Sequence, residues 1–441
     1  MTTRFLIPVL AVLALAACDE SKLPEDASTG PKPAIPKPTS ALLPTVNIAA
    51  AEGWSRDGAP IPADGLAVAA FARDLDHPRW LYVLPNGDVL VAESNAPKRP
   101  EENKGIKGWI MSLVMKRAGA GVPSANRITL LRDADGDGVA ETRHVLLRNL
   151  NSPFGMALVG DTFYVANTDA VVKYPYTAGA TEIPQAGEKL ADLPGGPLNH
   201  HWTKSLVVSP DGKKLHVGVG SNSNAAENGI EKEADRAAIL EIDAASGATR
   251  LFASGLRNPV GLAFEPESKQ LWAVVNERDE LGSDLVPDYL TSVRDGGFYG
   301  WPWSYWGQHV DERVKPPNPE MVAKALVPDF ALGNHVAPLG LAFAEGRTLP
   351  ERFRNGAFVG EHGSWNRKPR SGYKVVFVPF SNGKPGGAPV DVLTGFVSKE
   401  DKAQGRPVGV AIDTRGALLI ADDVGNVIWR VTPATQTATK P

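Results

Sequence analysis

The sequence of 441 residues predicts an all-β protein, a six-bladed β-propeller with a disordered N-terminal tether. Two observations carry this prediction. Gly (44) and Pro (37) are both frequent, and no long stretch keeps the 3.6-residue apolar period of an amphipathic helix. In addition, a strand–turn–strand unit recurs six times, at 77–95, 152–169, 201–224, 258–279, 337–366 and 406–431.

Each unit contains a loop residue that is usually proline, an apolar strand, a turn, a second apolar strand and a polar loop. Asn86-Gly87, Asp211-Gly212 and Arg415-Gly416 place glycine where a hairpin turn needs a positive φ. One hairpin cannot bury both faces, so the copies must stack, and spacings of roughly 50 to 80 residues leave room for two further strands each. Radial stacking gives a propeller, with a pair of β-sandwiches or a parallel β-helix as the alternatives.

The N-terminus has the order of a lipoprotein signal. A short apolar run follows an arginine and ends in Leu15-Ala16-Ala17-Cys18, which matches a bacterial lipobox. We therefore expect a signal peptide at 1–17 and a lipid on Cys18, the only cysteine of the chain. Asp19 after that cysteine favours the inner membrane. The predicted location is the periplasmic face of a bacterial membrane.

Residues 18–45 are rich in Pro, Lys and Ser and have too little apolar surface to fold, which predicts a lipidated, semi-extended linker. The propeller is then expected at 46–435. The 46 Lys and Arg nearly balance the 50 Asp and Glu without forming a basic block, so nucleic acid is not an expected partner. Propellers bind ligands at the mouth of the central channel, so the polar ends of the six units are the candidate site.

Two adjacent histidines, His200 and His201, open the third unit. Neighbouring side chains at the start of a strand point to opposite sides, and no third ligand lies at metal spacing nearby, so the pair does not suit zinc. One imidazole at a channel mouth suits a general base because its pKa lies near the operating pH. A loop histidine bonded to the backbone is the alternative.

Cationic residues open or follow several units. Arg257 and Asn258 open the fourth unit and form a group of donors for an oxygen-rich ligand, while Arg406 has the matching place in the sixth. Three more cations come directly after the fifth unit: Arg367, Lys368 and Arg370. If they converge on one channel, they suit an anion with several carboxylates or phosphates. A turn-stabilising asparagine and solvated cations are the alternative.

The segment DADGDGVAET contains a candidate calcium loop, in which carboxylates alternate with a tight glycine turn. Its candidate ligands are Asp133, Asp135, Asp137 and Glu141. The twelfth position is His144 and the flanks are strand-like, so the loop is not an EF-hand; it is a structural calcium hairpin or a plain Asp/Gly turn. Glu277 and Asp279 are a second, less specific pair of candidate metal ligands.

Six motifs resemble, in the same order, those of the PQQ-dependent aldose and sorbosone dehydrogenases, which share the propeller of soluble glucose dehydrogenase. They are HWTKSLVVSPDGKKLHVGVGSNSN, SGLRNPVGLAF, GGFYGWPW, HVAPLGLAF, GEHGSWNRKPRSGYKVVFVPF and GRPVGVAIDTRGALLIADD. The resemblance covers about residues 65–432. It implies a lipid-anchored oxidoreductase that oxidises a sugar or sugar aldehyde with PQQ and Ca²⁺ as cofactors. The electron acceptor would lie in the membrane or the periplasm.

The resemblance also implies residue roles. PQQ would lie across the channel, with its carboxylates held by Arg257, Arg370 and Arg406 and further contacts from Asn258 and Lys368. His201 would take the proton of the sugar C1 hydroxyl while hydride moves to the quinone, and Arg257 would stabilise the developing charge.

Two departures from the family pattern are visible. In the glucose dehydrogenase branch a carboxylate precedes and orients the catalytic histidine, whereas this chain has His200 there, so the orienting partner of His201 is unassigned. The family's calcium loop near the fourth unit uses backbone carbonyls around Gly-Pro, and this chain has Glu277-Arg278-Asp279 instead.

Two other functions are consistent with a propeller. One is a non-catalytic envelope protein that binds a glycan or a protein. The other is a calcium-dependent hydrolase of lactones or phosphoesters, which needs a ring of carboxylates and amides at the channel centre. The cations at the ends of the units discriminate among these functions, because they suit a tricarboxylate cofactor and oppose an exposed calcium ion.

Overall fold

The computed structural model describes residues 20–39, 45–98, 117–119 and 121–434. Within them, six antiparallel sheets contribute four long strands each, and the innermost strands contact one another in a closed ring. The predicted six-bladed propeller is confirmed. The predicted signal peptide, Cys18 and Asp19 lie outside the described residues. No helix in the described part of the chain is long and apolar enough to cross a membrane.

The strands of the first five blades run in chain order from the axis outwards. Blade one contains Pro78–Val83, Val89–Glu93, Arg127–Arg132 and Thr142–Leu147, and blade two contains Met156–Val159, Thr162–Ala166, Ala170–Pro175 and Glu188–Asp192. Blade three contains Lys204–Val208, Lys214–Val219, Ala238–Asp243 and Thr249–Ser254. Blade four contains Pro259–Phe264, Leu271–Val275, Pro287–Ser292 and Phe330–Asn334, and blade five contains Pro338–Phe343, Gly356–Glu361, Lys374–Ser381 and Val390–Thr394.

Blade six combines strands from both parts of the chain and closes the ring. Its first three strands are Pro407–Ile412, Leu418–Asp422 and Val427–Pro433. The fourth, Leu66–Ala72, pairs antiparallel with Val427–Pro433 and precedes blade one in sequence. Opening the ring at this blade therefore requires the loss of a complete strand ladder.

The remaining elements are short. In the described residues an α-helix spans Pro319–Lys324, and 3₁₀ helices span Glu25–Ser28, Ile230–Glu233 and Glu351–Phe353. Two-residue strands lie at Thr29–Gly30, Ala50–Ala51, Ile61–Pro62, Ser304–Tyr305, His309–Val310, Lys384–Pro385 and Lys402–Ala403. Almost all other order in the described residues is in the blades, as the sequence predicts.

Glycines let neighbouring inner strands approach closely. The backbone N–H of Gly155 in blade two donates to the carbonyl of Lys204 in blade three at 3.0 Å. A Cβ added to Gly155 would collide with the backbone of Leu206, and one added to Gly340 would collide with the backbone of Val408. Any larger side chain would therefore push two blades apart. This packing fixes the positions of the loops at both ends of the inner strands.

Aromatic side chains fill the space between the first three blades. The rings of Trp80 and Phe154 lie 4.7 Å apart, and those of Phe154 and Trp202 lie 5.9 Å apart in an edge-to-face arrangement. Burying such a side chain contributes about 1.5–3 kcal/mol. Because Trp202 follows His201 directly, this cluster also anchors the loop that carries the two adjacent histidines.

Residues 20–39 belong to the predicted linker, and they lie against blades four and five. Thr29–Gly30 pairs antiparallel with Phe330–Asn334, the outer strand of blade four. Ser21 Oγ donates to Asp284 Oδ1 at 2.5 Å. Composition alone could not reveal this contact, because it depends on backbone groups and one carboxylate that the propeller supplies rather than on apolar residues in the segment itself.

Candidate active site

Polar residues of blades one, three, four, five and six meet at one end of the propeller, which we call the channel mouth. Each inner strand begins opposite the end of the second strand of its blade, as the pairs Pro338–Glu361 and Pro407–Asp422 show. Residues before inner strands and after second strands therefore share this end. They include His77, His201, Arg257, Asn258 and Arg406 from the first group, and Ser221, Asn276, His362 and Asp423 from the second.

His201 has a fixed orientation at the channel mouth. Its Nδ1 lies 2.8 Å from the backbone oxygen of Ser221 and 3.0 Å from the Oγ of the same residue. A carbonyl oxygen can only accept, so Nδ1 carries the proton and Nε2 carries the lone pair that a base needs. The orienting partner that the sequence left unassigned is therefore a backbone carbonyl instead of a carboxylate.

Gly220 allows His201 and Asn258 to approach each other. A Cβ added to Gly220 would collide with the Cβ of His201 on one side and with Oδ1 of Asn258 on the other. Oδ1 of Asn258 is buried and has no hydrogen-bond partner among the described residues. A buried acceptor without a donor costs about 1–3 kcal/mol, which marks this oxygen as a contact point for a ligand.

Arg257 is buried, and all five of its N–H groups have acceptors. Nε donates to the backbone oxygen of Asn224 at 3.2 Å. Nη1 donates to the carbonyls of Glu277 at 2.6 Å and Asn276 at 3.5 Å. Nη2 donates to Asn224 Oδ1 at 3.0 Å and to Asp279 Oδ2 at 3.1 Å. The guanidinium therefore joins the loops that carry Asn224 and Asp279. Its expected direct contact with a cofactor stays a prediction.

Asp279 and Glu277, the second candidate metal pair, contact different arginines. Asp279 accepts from Arg257 and, through Oδ1, from Asn366 Nδ2 at 2.8 Å. Glu277 Oε2 accepts from Arg278 Nε at 3.0 Å, and both of these side chains are buried. In the described residues the two carboxylates are not part of a metal-like cluster with a third ligand.

The cations of the fifth unit lie against the N-terminal segment. Arg370 Nε donates to Asn47 O at 2.8 Å, and its guanidinium forms an ion pair with Asp401. Lys368 Nζ lies 2.5 Å from Glu20 Oε1. Arg367, Arg370 and Ser21 are among the residues that line a cavity of about 230 Å³. The segment before the propeller thus supplies acceptors to Arg370 and Lys368, and the predicted contacts of these two side chains with a cofactor stay predictions.

Arg406 lies at the start of blade six and is almost fully buried. Its Nη2 donates to the hydroxyl of Tyr373 at 3.0 Å, and its guanidinium carbon lies 5.0 Å from the centre of that ring. Its Nε is buried without an acceptor among the described residues. Nε of Arg406 is therefore a donor without a protein acceptor at the start of blade six, and its predicted contact with a cofactor stays a prediction.

Sequence reasoning missed a buried cluster around Asp423, which follows the second strand of blade six. Asp423 is 1% exposed, forms an ion pair with Arg79 of blade one, and accepts from His362 Nε2 of blade five at 3.0 and 3.1 Å. His77 Nε2 lies 3.6 Å from the same carboxylate. Two of the quoted motifs contain members of this cluster: one contains His362 and another ends in Asp423. Only the closure of the ring, however, brings blades five, six and one together.

The Asp423 cluster has shifted ionisation. Burial opposes charge on Asp423, but His362, His77 and Arg79 together hold its pKa below the usual range. Burial lowers the pKa of His362 to about 4, against the opposing effect of Asp423. At neutral pH the carboxylate is therefore ionised and the His362 imidazole is neutral. Arg79 lies 5.8 Å from the ring centre of Trp202, which links this cluster to the loop of His201.

The candidate calcium loop lies at the opposite end of blade one. Leu131, just before the loop, pairs with Val89, whereas the mouth-side residue Glu93 pairs with Arg127 at the other end of the same strand. One oxygen from each of four carboxylates lies within 4.8 Å of the others: Asp133, Asp135, Asp137 and Glu141. The structure thus brings together all four predicted ligands.

Turn geometry and a neighbouring arginine stabilise this loop. Asp133 accepts from the backbone of Gly136 at 2.7 Å and of Gly138 at 3.0 Å, and it forms an ion pair with Arg415 of blade six. Burial raises the pKa of Asp133, but Arg415 and these two N–H groups outweigh it and hold the pKa below the ordinary value. The carboxylate is ionised under ordinary conditions, as cation binding requires.

The sequence of most of the propeller matches a known family. The model of the TrAA12-like family matches residues 113–288 and 315–434, which is more than half of the chain. The chain belongs to the TrAA12-like family. The first matched range contains His201 and Arg257, and the second contains His362 and Asp423.

An uncharacterized protein of Borreliella burgdorferi is similar to this chain, with 28% identity over 300 residues. The match covers 65% of this chain and 77% of the length of that protein. The calcium structure of a Trichoderma reesei carbohydrate-active enzyme of family AA12 matches with a TM-score of 0.69 and 20% identity, covering 85% of this chain and 97% of that one. The holo form of the pyranose dehydrogenase PQQ domain from Coprinopsis cinerea matches with a TM-score of 0.68 and 20% identity, covering 87% and 100%. At 20% identity, the two matches to solved structures show a common propeller fold.

Proposed function

We propose that this protein is a PQQ-dependent dehydrogenase that oxidises a sugar or sugar aldehyde at the channel mouth, with His201 as the general base. The observation that carries the proposal is the bond between His201 Nδ1 and the carbonyl of Ser221, beside the unpaired Oδ1 of Asn258. The similarity to the pyranose dehydrogenase PQQ domain supports the choice of cofactor and substrate class.

The residues at the mouth fit a planar anion of this kind. PQQ has three carboxylates and a pyrrole N–H. Arg79 and Arg406 each have a buried Nε without an acceptor among the described residues, and carboxylates are the preferred acceptors of guanidinium groups. Asn258 Oδ1 is an acceptor suited to an N–H. Arg79, Arg406 and Asn258 would therefore hold the cofactor, and Arg257 would position the surrounding loops.

The predicted contacts of Arg370 and Lys368 with PQQ have less support, because the N-terminal segment already contacts both side chains. The quinone, when bound, supplies the hydride acceptor for the oxidation. Calcium beside it would polarise the reactive carbonyl, as the resemblance implies. Glu277 and Asp279 contact arginines, and their predicted binding of this ion stays a prediction.

His201 would move one proton. Its Nε2 would accept the proton of the hydroxyl that is oxidised, either the C1 hydroxyl of an aldose or a hydroxyl of a hydrated aldehyde. The imidazolium that forms would be stabilised by the bond from Nδ1–H to the Ser221 carbonyl, which also prevents the ring from rotating. Trp202, packed against Phe154 and Arg79, would keep the loop in place during this step.

A PQQ titration tests the proposal. The mature chain from residue 18 onward, stripped of metal, would be titrated with PQQ with and without Ca²⁺ while the quinone absorbance is followed. A panel of aldoses and sorbosone would then be added with a reducible dye. We expect saturable binding and dye reduction with at least one sugar. Absence of binding at micromolar PQQ in the presence of Ca²⁺ would exclude the proposed dehydrogenase function. It would favour the alternative, a non-catalytic envelope propeller that binds a glycan or a protein.

We also propose that the loop of Asp133, Asp135, Asp137 and Glu141 binds a structural Ca²⁺ ion, on the basis of its converging carboxylates. At a hundredfold excess over Kd, Ca²⁺ should stabilise the fold by about 2.7 kcal/mol, which corresponds to a rise in Tm of roughly 2–5 °C. Differential scanning calorimetry should show this rise. It should be absent in the double variant Asp135→Asn/Asp137→Asn, whereas Asp192→Asn, an exposed change in blade two, should retain it. An equal rise in all three proteins would place the ion elsewhere.

The lipid anchor on Cys18 and an electron acceptor in the membrane or periplasm complete the proposal, and both rest on the sequence. A tethered enzyme at the periplasmic face, with Asp19 favouring the inner membrane, would deliver electrons to a nearby acceptor. Release of the protein from membranes in the Cys18→Ser variant would support the anchor, and unchanged fractionation would contradict it.

A further inference from the structure

His362 lies at the channel mouth with a carboxylate behind it. Its Nε2 is 3.0 and 3.1 Å from the two oxygens of Asp423. A carboxylate only accepts, so Nε2 carries a proton and donates it to this bond. The His362 side chain is 19% exposed and that of Asp423 is 1% exposed. The carboxylate therefore stays buried while the imidazole is accessible from solvent.

Cations surround this pair on two sides. Arg79 of blade one forms an ion pair with Asp423. Burial is the largest cause that lowers the pKa of His362, and the charges of Arg406 in blade six and of Arg79 lower it further. In the described part of the chain, other titratable groups beside this pair are His77 of blade one, which lies near Asp423, and the sequence neighbours Glu361 and Asp422. Asp422 is buried and accepts from Trp54 and Trp429, and burial raises its pKa to about 6, so it titrates in the same pH range as the proposed uptake. A substitution at His362 itself therefore separates the two groups.

We propose that His362 takes up a proton from solvent when a carboxylate of an anionic cofactor binds beside Arg79 and Arg406, and that its Nδ1–H then donates to that carboxylate. The inference rests on the proposed function and adds a proton-coupled contact to it. No bond between heavy atoms changes: one proton moves from solvent to Nδ1 and forms an N–H bond there, while Nε2–H stays hydrogen-bonded to Asp423. The chain would thus hold the anion with two guanidinium groups and one imidazolium.

The chemistry of the ring requires this proton. With Nε2–H bound to Asp423, a neutral imidazole presents only a lone pair at Nδ1, which repels a carboxylate. A protonated ring has two donors, one for Asp423 and one for the ligand. Asp423 would balance the added charge inside the protein, so that the imidazolium is not a lone buried cation. Arg79 and Arg406, which oppose protonation in the unliganded protein, would be neutralised in part by the same ligand.

The size and sign of the effect follow from the two protonation states. The unliganded pKa is about 4, and an opposite charge at about 4–6 Å raises a pKa by ~1–3 units, so the liganded value should lie near about 5–7. Between the two values the unliganded ring is neutral and the liganded ring is charged. Binding should therefore take up protons most strongly between about pH 4.5 and 5.5. The uptake should vanish only below about pH 3, where the unliganded ring is already protonated, and above about pH 8.

Calorimetry with PQQ tests the proposal. PQQ would be titrated into the mature chain at pH 5.5 in two buffers with different enthalpies of ionisation, and the difference in heat gives the number of protons exchanged. We expect His362→Gln to take up about 0.2–0.9 proton less than the wild type, the range set by a liganded pKa of about 5–7. The matched control is His309→Gln, an exposed histidine that contacts the carbonyl of Trp306, and it should match the wild type.

A second measurement on the wild type covers the case in which the Gln variant does not fold. With ¹⁵N-labelled histidine, the NMR shifts of His362 at pH 5.5 should show a neutral Nε2–H ring without PQQ and a doubly protonated ring with it. Equal proton uptake in wild type and variant, or a neutral His362 in the complex, overturns the inference while the dehydrogenase proposal stands. Absence of PQQ binding overturns both.

Discussion

Replacing His201 by alanine should lower kcat by about 10²–10⁴-fold while PQQ still binds. The imidazole is the group whose Nε2 lone pair is aimed by the bond from Nδ1 to the Ser221 carbonyl, and alanine removes both atoms. The contacts proposed for the cofactor come from Arg79, Arg406 and Asn258, which the substitution leaves in place. Dye-reduction kinetics and the PQQ absorbance titration measure the two effects separately.

The matched control is His200→Ala. His200 is the neighbouring residue and its ring lies 4.8 Å from that of His201, edge to face. Because we assign the base to His201, the control should lose much less activity, about tenfold or less. If His200→Ala is as inactive as His201→Ala, the two histidines act as one unit. If His201→Ala keeps most of its kcat, His201 is a structural residue of the loop.

Ser221→Ala distinguishes the two atoms that hold the ring. His201 Nδ1 lies near both the backbone oxygen and Oγ of Ser221, while Oγ itself donates to Ser223 O at 2.6 Å. Alanine keeps the carbonyl, so a small effect on kcat would assign the orienting role to the backbone. In the glucose dehydrogenase branch the resemblance implies a carboxylate for this task. A backbone carbonyl carries no charge and gives a weaker bond to an imidazolium.

The sequence predicted the propeller because each repeat carries its own strand and turn signals. It also predicted that His201, Arg257, Asn258 and Arg406 share one end, since every inner strand starts at the same end of its blade. The pairing of His201 with Asn258 across Gly220 agrees with that prediction. Periodicity and turn chemistry act over a few residues, so they are visible in a single chain.

Contacts between blades could not be predicted in the same way. Asp423 is 61 residues from His362 and 344 residues from Arg79, and only the closure of the ring brings the three together. Arg370 and Lys368 show the same limit. Asn47, Asp401 and Glu20 supply acceptors to these two cations that no local pattern reveals, and their predicted contact with the cofactor stays a prediction.

The Asp423→Asn variant should unfold about 3–5 kcal/mol more easily than the wild type at neutral pH, because breaking a buried ion pair leaves its partner charge uncompensated. Arg79 would lose its ion pair, and His362 and His77 would lose the ionised carboxylate. Denaturant unfolding gives the free energy and thermal unfolding gives an independent midpoint. The matched control is Asp391→Asn in blade five, whose carboxylate is 52% exposed and pairs with Lys374, and it should cost about 1 kcal/mol or less.

The pH dependence separates this charge effect from a loss of packing. The pKa of Asp423 is lowered in the folded protein, so its stabilising effect is complete above the unfolded value near 4 and is lost as the pH falls through the folded value. The difference between wild type and Asp423→Asn should therefore narrow below about pH 4. A difference that stays constant down to acid pH would mean that the amide is simply a poor fit. A difference under about 1 kcal/mol at pH 7 would mean that the Arg79–Asp423–His362 cluster contributes little to folding, and its buried charges would then have to be explained by ligand binding alone.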